Sequence, residues 1–118
     1  MNTFNFIEKY KVPLKVCDNI IEYHKKNIEY KTPGMIGAGI INKNIKDSTD
    51  VLFYNETTNK SLKEFFSILS KYVKEYLAKY NLESPVRTST INMIQYYKKG
   101  QGFPALHYER TDVSSSKR

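Results

Sequence analysis

Two side chains near the end of the chain, His107 and Glu109, have the types and the spacing of metal ligands. Residues two apart on a strand project to the same face, so the imidazole and the carboxylate are predicted to lie side by side. A histidine and a carboxylate are two of the three ligands in the 2-His-1-carboxylate site, which holds Fe(II) and keeps positions open for oxygen. The sequence therefore predicts metal ligands at His107 and Glu109.

The third ligand of such a site is harder to find. The chain contains two histidines, and the other one, His24, lies far upstream in a helical pattern of apolar residues. We expect His24 to be a structural residue on the apolar side of that helix. The 118 residues then supply two of the three ligands. By itself, the chain is expected to bind Fe(II) weakly and to be inactive.

The residues before His107 extend the pattern beyond the two ligands. An apolar strand, Ile91 to Tyr97, ends in tyrosine and runs into a turn that contains Gly100 and Gly102. Phe103 and the His-x-Glu follow. This arrangement resembles the prolyl-4-hydroxylase-like family of Fe(II)- and 2-oxoglutarate-dependent dioxygenases.

The resemblance extends over nearly the whole chain. FNFIEKYKVPLKVCDNIIEYHKK at 4–26 is similar to the first strand and helix of that family, and IKDSTDVLF at 45–53 to its approach to a core strand. Residues 1–118 are therefore expected to be the N-terminal portion of a single dioxygenase domain. The implied fold is α+β, with helices backing a partial double-stranded β-helix of the jelly-roll or cupin type that is incomplete at its C-terminus.

The same resemblance implies the chemistry of the site. Fe(II) would be held by His107 and Glu109. The co-substrate would be 2-oxoglutarate, and ascorbate could serve as a reductant. The hydroxyl of Tyr97 would contact the co-substrate, although a packed core aromatic is an equally good interpretation of that residue. Glutamate at 109 departs from the aspartate that the family usually has. No catalytic residue beyond the metal ligands is assigned, and the substrate could be a protein, a peptide or a small molecule.

The remaining parts of such a site are expected from outside the chain. A distal histidine and a basic residue for the far carboxylate of 2-oxoglutarate would come from a missing C-terminal region or from a second chain. Two other function classes stay open. The chain could be a non-catalytic binding module on the same scaffold, or a small basic nucleic-acid-binding protein.

The net charge of +7 is the reason for the nucleic-acid alternative, because lysines neutralise phosphates. The lysines are spread along the chain and form no block, as in the separated pairs Lys25–Lys26 and Lys98–Lys99. We therefore favour a solvated, lysine-rich surface over a nucleic-acid-binding one.

Composition and the N-terminus indicate a folded cytoplasmic protein. Ten tyrosines and six phenylalanines are enough for an aromatic core, and no apolar run approaches the roughly 18 residues of a membrane span. Glu8, Lys9 and Lys11 lie where a signal peptide needs an apolar region. Because Cys17 is the only cysteine, an internal disulfide is excluded.

Hydrophobic periodicity predicts two helices and several strands. One helix is expected after Pro13, and a second from Ser61, whose spacing from Glu64 is that of a capping box. Asn81 is expected to end the second helix in the left-handed conformation. The predicted strands are 3–11, 40–41, 51–54, 91–97 and 106–109, and 31–39 is predicted to be a loop.

Overall fold

The computed structural model describes residues 5–83, 86 and 89–107 of the chain. The architecture is α+β, as predicted, with two helices and a three-stranded sheet. In chain order the elements are α1 (Leu14–Lys26), a single 3-10 turn (Ile28–Tyr30), β1 (Lys31–Pro33), β2 (Thr49–Tyr54), α2 (Lys60–Lys79) and β3 (Ile91–Tyr96). The strand order is β1-β2-β3, and β1 runs antiparallel to β2 with Lys31 opposite Val51.

The chain divides into two compact units, and each is described by itself. The helical unit comprises Met1–Ile28 and Phe53–Asn92, and therefore contains both helices. The strand unit comprises Glu29–Leu52 and Met93–Arg118, and it contains β1 with most of β2 and β3. No helix in the described ranges has the length and apolar character that crossing a membrane would require.

The first helix of the helical unit begins directly after Pro13, as the sequence predicts. The carbonyl of Pro13 accepts hydrogen bonds from the amides of Val16 and Cys17 at 3.0 and 3.2 Å. Proline suits this position because its missing N–H would find no partner within the helix. Val16 and His24 are the buried residues of α1, so His24 lies on the apolar side as expected.

The second helix begins earlier than predicted. Asn59 is its N-cap, with a side-chain oxygen that accepts from the amide of Leu62 at 3.1 Å. The predicted capping box from Ser61 is therefore wrong, because asparagine caps as well as serine and lies two residues upstream. Asn81 has a φ of 52° and follows the last turn, which confirms its predicted role at the helix end.

An apolar core joins the two helices to the end of β2. Leu62 is completely buried, and Phe53 meets the edge of Tyr23 with ring centroids 6.4 Å apart. Phe53 also contacts Phe66 of α2 at a centroid distance of 5.7 Å. Each fully buried side chain of this size stabilises the fold by roughly 1.5–3 kcal/mol. The helical unit is therefore held together mainly by apolar contacts.

The predicted N-terminal strand is wrong over its described part, residues 5–11, which form an irregular segment along α2. The hydroxyl of Tyr76 donates to the carbonyl of Phe6 at 2.7 Å, and that of Tyr72 donates to the carbonyl of Lys11. The rings of Tyr10 and Tyr72 stack at 4.6 Å. Tyrosine hydroxyls thus satisfy backbone carbonyls that the alternating pattern had assigned to a sheet.

The same segment carries an exposed charged cluster. Glu8 forms an ion pair with Lys79 and accepts a hydrogen bond from the hydroxyl of Tyr80 at 2.6 Å. The hydrogen bond from Lys79, followed by that from Tyr80, lowers the pKa of the Glu8 carboxyl. In return, the bond to Glu8 raises the pKa of Tyr80 to about 12. Tyr72, Tyr76 and Tyr80 lie four residues apart, so one face of α2 carries all these contacts.

Two predictions in the strand unit need correction. Residues 31–33 form β1 where a loop was predicted, and residues 40–41 form no strand beyond an isolated bridge between Ile36 and Ile40. Pro33 lies at the end of β1, at the sheet margin where the missing amide of proline is tolerated.

Candidate functional site

A glycine turn follows β3, as predicted from the sequence. The amide of Gln101 donates to the carbonyl of Lys98 at 2.9 Å, and Gly100 has a φ of +89°, which favours glycine. The carbonyl of Gly102 then accepts from the amide of Asp47 at 2.8 Å, and the Gln101 side chain donates to the Asp47 carboxylate at 3.1 Å. The turn is therefore anchored to the segment that leads into β2.

That segment carries three buried polar side chains, Lys46, Ser48 and Asp50, which we name the polar stripe. The Ser48 hydroxyl donates to one oxygen of Asp50 at 2.8 Å, and the Lys46 ammonium donates to the other at 3.3 Å. The side chains of Lys46 and Asp50 are each 5% exposed. Removing one partner of such a pair is strongly destabilising, because it leaves the other charge buried and uncompensated.

A glycine packs directly against the polar stripe. A Cβ atom on Gly34 would lie 2.1 Å from the Ser48 hydroxyl oxygen and 3.0 Å from Cε of Lys46. Gly34 also donates its amide to the carbonyl of Ser48 at 3.0 Å. This close approach of backbone to side chain requires glycine, and it helps to keep water away from the stripe.

The strand unit contains a pocket of about 820 Å³. Four of its lining side chains are polar: Lys46, Gln95, Tyr97 and His107. The other lining residues are mostly apolar: Met35, Ile36, Gly37, Ile45, Met93, Phe103, Ala105 and Leu106. Polar and apolar atoms contribute almost equally to its exposed lining, and a concave surface with convergent polar groups can hold a small molecule.

His107 is an exposed side chain of this pocket that contacts Ala105 and Phe103. Its Nδ1 lies 2.8 Å from the carbonyl oxygen of Ala105, and its ring lies 3.9 Å from that of Phe103, measured between centroids. Because a carbonyl oxygen only accepts, a hydrogen bond here requires the proton on Nδ1, which leaves Nε2 as the ring nitrogen that could bind a metal. Histidines that bind metals through one ring nitrogen usually donate the other N–H to a carbonyl or carboxylate in this way.

The pocket brings together two of the three predicted site residues. Tyr97 and His107 both line it, and the Tyr97 hydroxyl approaches the side-chain oxygen of Gln95 at 3.4 Å. Glu109, the second predicted metal ligand, lies outside the described residues. Leu106 and His107 form no strand, so the expected strand at 106–109 is wrong over its described half.

The face of β3 that lines the pocket is exposed. Met93 is 49% exposed and Tyr97 is 36% exposed. Among the residues that the structure describes, no group of three or more His, Cys, Asp or Glu side chains could hold a metal ion. The described part of the site therefore offers one predicted metal ligand, His107.

No protein-family model, curated protein or solved structure matches this chain. Function must therefore be argued from the pocket itself. The residue that the sequence analysis missed is Lys46. The sequence feature that could have identified it is the spacing of Lys46, Ser48 and Asp50. These residues alternate, as residues on one face of an extended segment do.

Proposed function

We propose that this chain is part of an Fe(II)- and 2-oxoglutarate-dependent dioxygenase of the prolyl-4-hydroxylase-like type, and that the pocket of the strand unit is its active site. The resemblance at residues 91–109 and the donor chemistry of His107 support the proposal. On this proposal the α+β arrangement is a portion of a jelly-roll or cupin-like double-stranded β-helix.

The observation that carries the proposal is the contact between His107 Nδ1 and the carbonyl of Ala105. It places the Nδ1 proton on the carbonyl oxygen, so that Nε2 is the nitrogen that would bind a metal. It also fixes the orientation of the ring, which is the usual task of the groups that surround metal ligands. One neutral imidazole fits Fe(II), which accepts nitrogen and carboxylate oxygen ligands together.

The roles of the residues follow from their chemistry. His107 would bind the metal through Nε2, and Glu109 would bind it through a carboxylate oxygen. Tyr97 would donate its hydroxyl proton in a hydrogen bond to a carboxylate of 2-oxoglutarate. Bound Fe(II) would supply the oxygen activation that drives decarboxylation of 2-oxoglutarate. The second histidine of the facial site must come from outside these 118 residues, because His24 is buried in α1.

Metal titration tests this proposal directly. Anaerobic calorimetric titration with Fe(II) should show weak binding by the unmodified chain and none by His107→Ala. Glu109→Gln should weaken binding as well, because it replaces a charged oxygen ligand with a neutral amide. His24→Gln is the matched control, since it alters the other histidine, and it should bind Fe(II) as the unmodified chain does. Loss of binding in His24→Gln but not in His107→Ala would contradict the proposal.

Turnover gives a second and independent test. The chain alone should not convert 2-oxoglutarate to succinate, because His107 and Glu109 leave the three-ligand site one ligand short. Supplying a C-terminal region with the second histidine, fused or as a second chain, should create turnover that His107→Ala abolishes. Succinate formation by the chain alone would overturn the ligand assignment. Iron-independent binding of 2-oxoglutarate with no turnover in the completed protein would favour the non-catalytic binding module.

A further inference from the structure

The helical unit contains a groove of about 440 Å³ that the proposed iron site does not use. One wall is a stripe along α2 with the spacing of a single helix face, formed by Leu69, Tyr72, Val73, Tyr76 and Leu77. Tyr10 of the N-terminal segment and Leu82, which follows the helix, also line it. Apolar atoms contribute almost all of the exposed lining, so we name this surface the apolar groove.

The tyrosine hydroxyls of the stripe are engaged with the backbone of the N-terminal segment. The Tyr76 hydroxyl donates to the carbonyl of Phe6 at 2.7 Å, and the Tyr72 hydroxyl donates to the carbonyl of Lys11. The ring of Tyr10 stacks on that of Tyr72 with centroids 4.6 Å apart. What these tyrosines offer to a ligand is therefore ring carbon, and a ligand that fills the groove needs an apolar body.

The dimensions of the groove fit one small ligand. The stripe from Leu69 to Leu77 extends for about 12 Å along the helix axis. Beyond it, the amide of Leu82 donates to the carbonyl of Leu77 at 2.9 Å, and the Leu82 side chain is 41% exposed. The volume lies within the roughly 300–1,000 Å³ of small-molecule sites. A stable protein interface needs about 800 Å² from each partner, which is far more than this lining offers.

A cation lies beside one part of the groove. The Lys71 ammonium is 5.7 Å from the centroid of the Tyr72 ring. Within the described ranges Lys71 forms no ion pair, not even with Glu75 one turn further along α2. Lys79, near the end of the helix, is by contrast paired with Glu8. An anionic group is therefore favoured beside Tyr72.

We propose that the apolar groove binds a free, unbranched fatty acid, with its alkyl chain along the α2 stripe and its carboxylate beside Lys71. The chain gains free energy by leaving water, and the carboxylate pairs with the exposed ammonium group. Because the charge pair is exposed, it contributes less to the affinity than the alkyl chain does. The inference is independent of the iron site, since every residue that it uses belongs to the helical unit.

The test compares three ligands, each below its micelle-forming concentration. Decanoate has the alkyl chain and the anionic head, decyltrimethylammonium has the same chain with a cationic head, and butanoate has the anionic head with a short chain. NMR of labelled leucine and valine methyl groups locates the binding and gives the dissociation constants. Lys71→Met removes the charge and keeps the side-chain length. Lys63→Met is the matched control, because Lys63 is an exposed lysine of the same helix that does not line the groove.

Decanoate should shift the methyl resonances of Val73, Leu77 and Leu82 and leave those of Val51, in the strand unit, unchanged. Decyltrimethylammonium should bind more weakly than decanoate, and butanoate should cause no shift. Lys71→Met should weaken decanoate binding about threefold, which is the size expected for an exposed charge pair, and should not weaken binding of decyltrimethylammonium. Lys63→Met should bind all three ligands as the unmodified chain does.

Leu82→Asn tests the alkyl chain separately. It replaces a half-exposed leucine of the lining with a polar side chain, so it should weaken binding of both ten-carbon ligands by about fivefold. Circular dichroism checks that each variant is folded. The comparison of decanoate with decyltrimethylammonium and butanoate needs no variant, and it tests the head and the chain on the unmodified protein.

Equal affinity for decanoate and butanoate, or for decanoate and decyltrimethylammonium, would overturn the proposal. Decanoate binding that is unchanged in folded Lys71→Met would overturn it as well. Binding to anionic phospholipid vesicles without binding to dissolved decanoate would contradict it and indicate a membrane surface. Methyl shifts at the groove that grow with protein concentration in the absence of ligand would show that a second copy of the chain occupies it instead.

Discussion

The two units bury different kinds of side chain. In the described part of the helical unit the buried residues are Val16, His24, Phe53 and Leu62, whereas in the strand unit Val51 is buried together with the three residues of the polar stripe. Apolar burial is non-directional and tolerates imprecise geometry, whereas each buried polar group needs its own partner. The interior of the helical unit is therefore mainly apolar. The interior of the strand unit contains hydrogen-bonded polar and charged side chains, which lie beside a pocket.

Two charged clusters differ in the same way. Glu8 and Lys79 pair at the surface, where water and salt screen the interaction. Lys46 and Asp50 pair where each side chain is 5% exposed, so each charge depends on the other. Substitutions in the polar stripe should therefore lower the free energy of unfolding strongly, whereas substitutions of Glu8 or Lys79 should lower it only slightly.

The largest loss of stability is expected for Asp50→Ala. It leaves the Lys46 ammonium buried without its carboxylate, and the free energy of unfolding should fall by about 3–5 kcal/mol. Urea denaturation followed by circular dichroism measures this change. Glu22→Ala is the control, because it breaks the exposed pair with Lys25 and should cost less than about 0.5 kcal/mol. Similar small losses in both variants would remove the contrast between the clusters.

Leu62→Ala tests the apolar side of the comparison. Leu62 is fully buried, so the truncation should cost about 3 kcal/mol through lost burial and the cavity that remains. Leu69→Ala on the same helix is the matched control. Because Leu69 is 36% exposed, its truncation should lower the free energy of unfolding markedly less than that of Leu62. Thermal denaturation of the two variants side by side gives the difference. Equal losses would mean that the core of the helical unit is not centred on Leu62.

Gly34→Ala probes the packing against the polar stripe. The added Cβ would meet the Ser48 hydroxyl oxygen at 2.1 Å, and overpacking of this kind costs about 1–3 kcal/mol. The same substitution in a Ser48→Ala background should cost less, because the clashing oxygen is gone. A double-mutant cycle measured by urea denaturation isolates this coupling. Additive losses would show that Gly34 and Ser48 do not constrain each other.

Glu8→Gln should have the smallest effect, and one that depends on pH. The folded state lowers the pKa of Glu8 below its ordinary value of 4.5, so its contribution to stability is present above that value. The contribution is lost as the pH falls through the folded-state pKa. The difference in melting temperature between Glu8→Gln and the unmodified chain should therefore shrink on acidification below 4.5. If this difference in melting temperature stays constant with pH, it does not arise from the charge of the Glu8 carboxylate.

The features that the sequence predicts correctly are those set by local chemistry. Hydrophobic periodicity locates both helices, and Asn81 ends α2 because asparagine tolerates a positive φ. The turn at Gly100 follows from the same property of glycine.

The features that the sequence does not predict depend on distant partners. The N-terminal segment alternates like a strand, but its carbonyls meet hydroxyls of α2 that are 61 and 70 residues away. The polar stripe is similar: Lys46 looks like a surface residue until Gly34 and Phe103 are known to lie against its side chain. Periodicity reports which face a residue occupies, and it does not report what packs against that face.

The central claim is that His107 binds a metal through Nε2 while Nδ1 donates to Ala105. The most direct test is imidazole ¹⁵N NMR of the labelled chain during titration with Zn(II), a diamagnetic substitute for Fe(II). We expect the Nε2 resonance of His107 to shift, its Nδ1 to remain protonated, and both nitrogens of His24 to stay unchanged. A response of His24 in place of His107, or binding of zinc through Nδ1 of His107, would contradict the account.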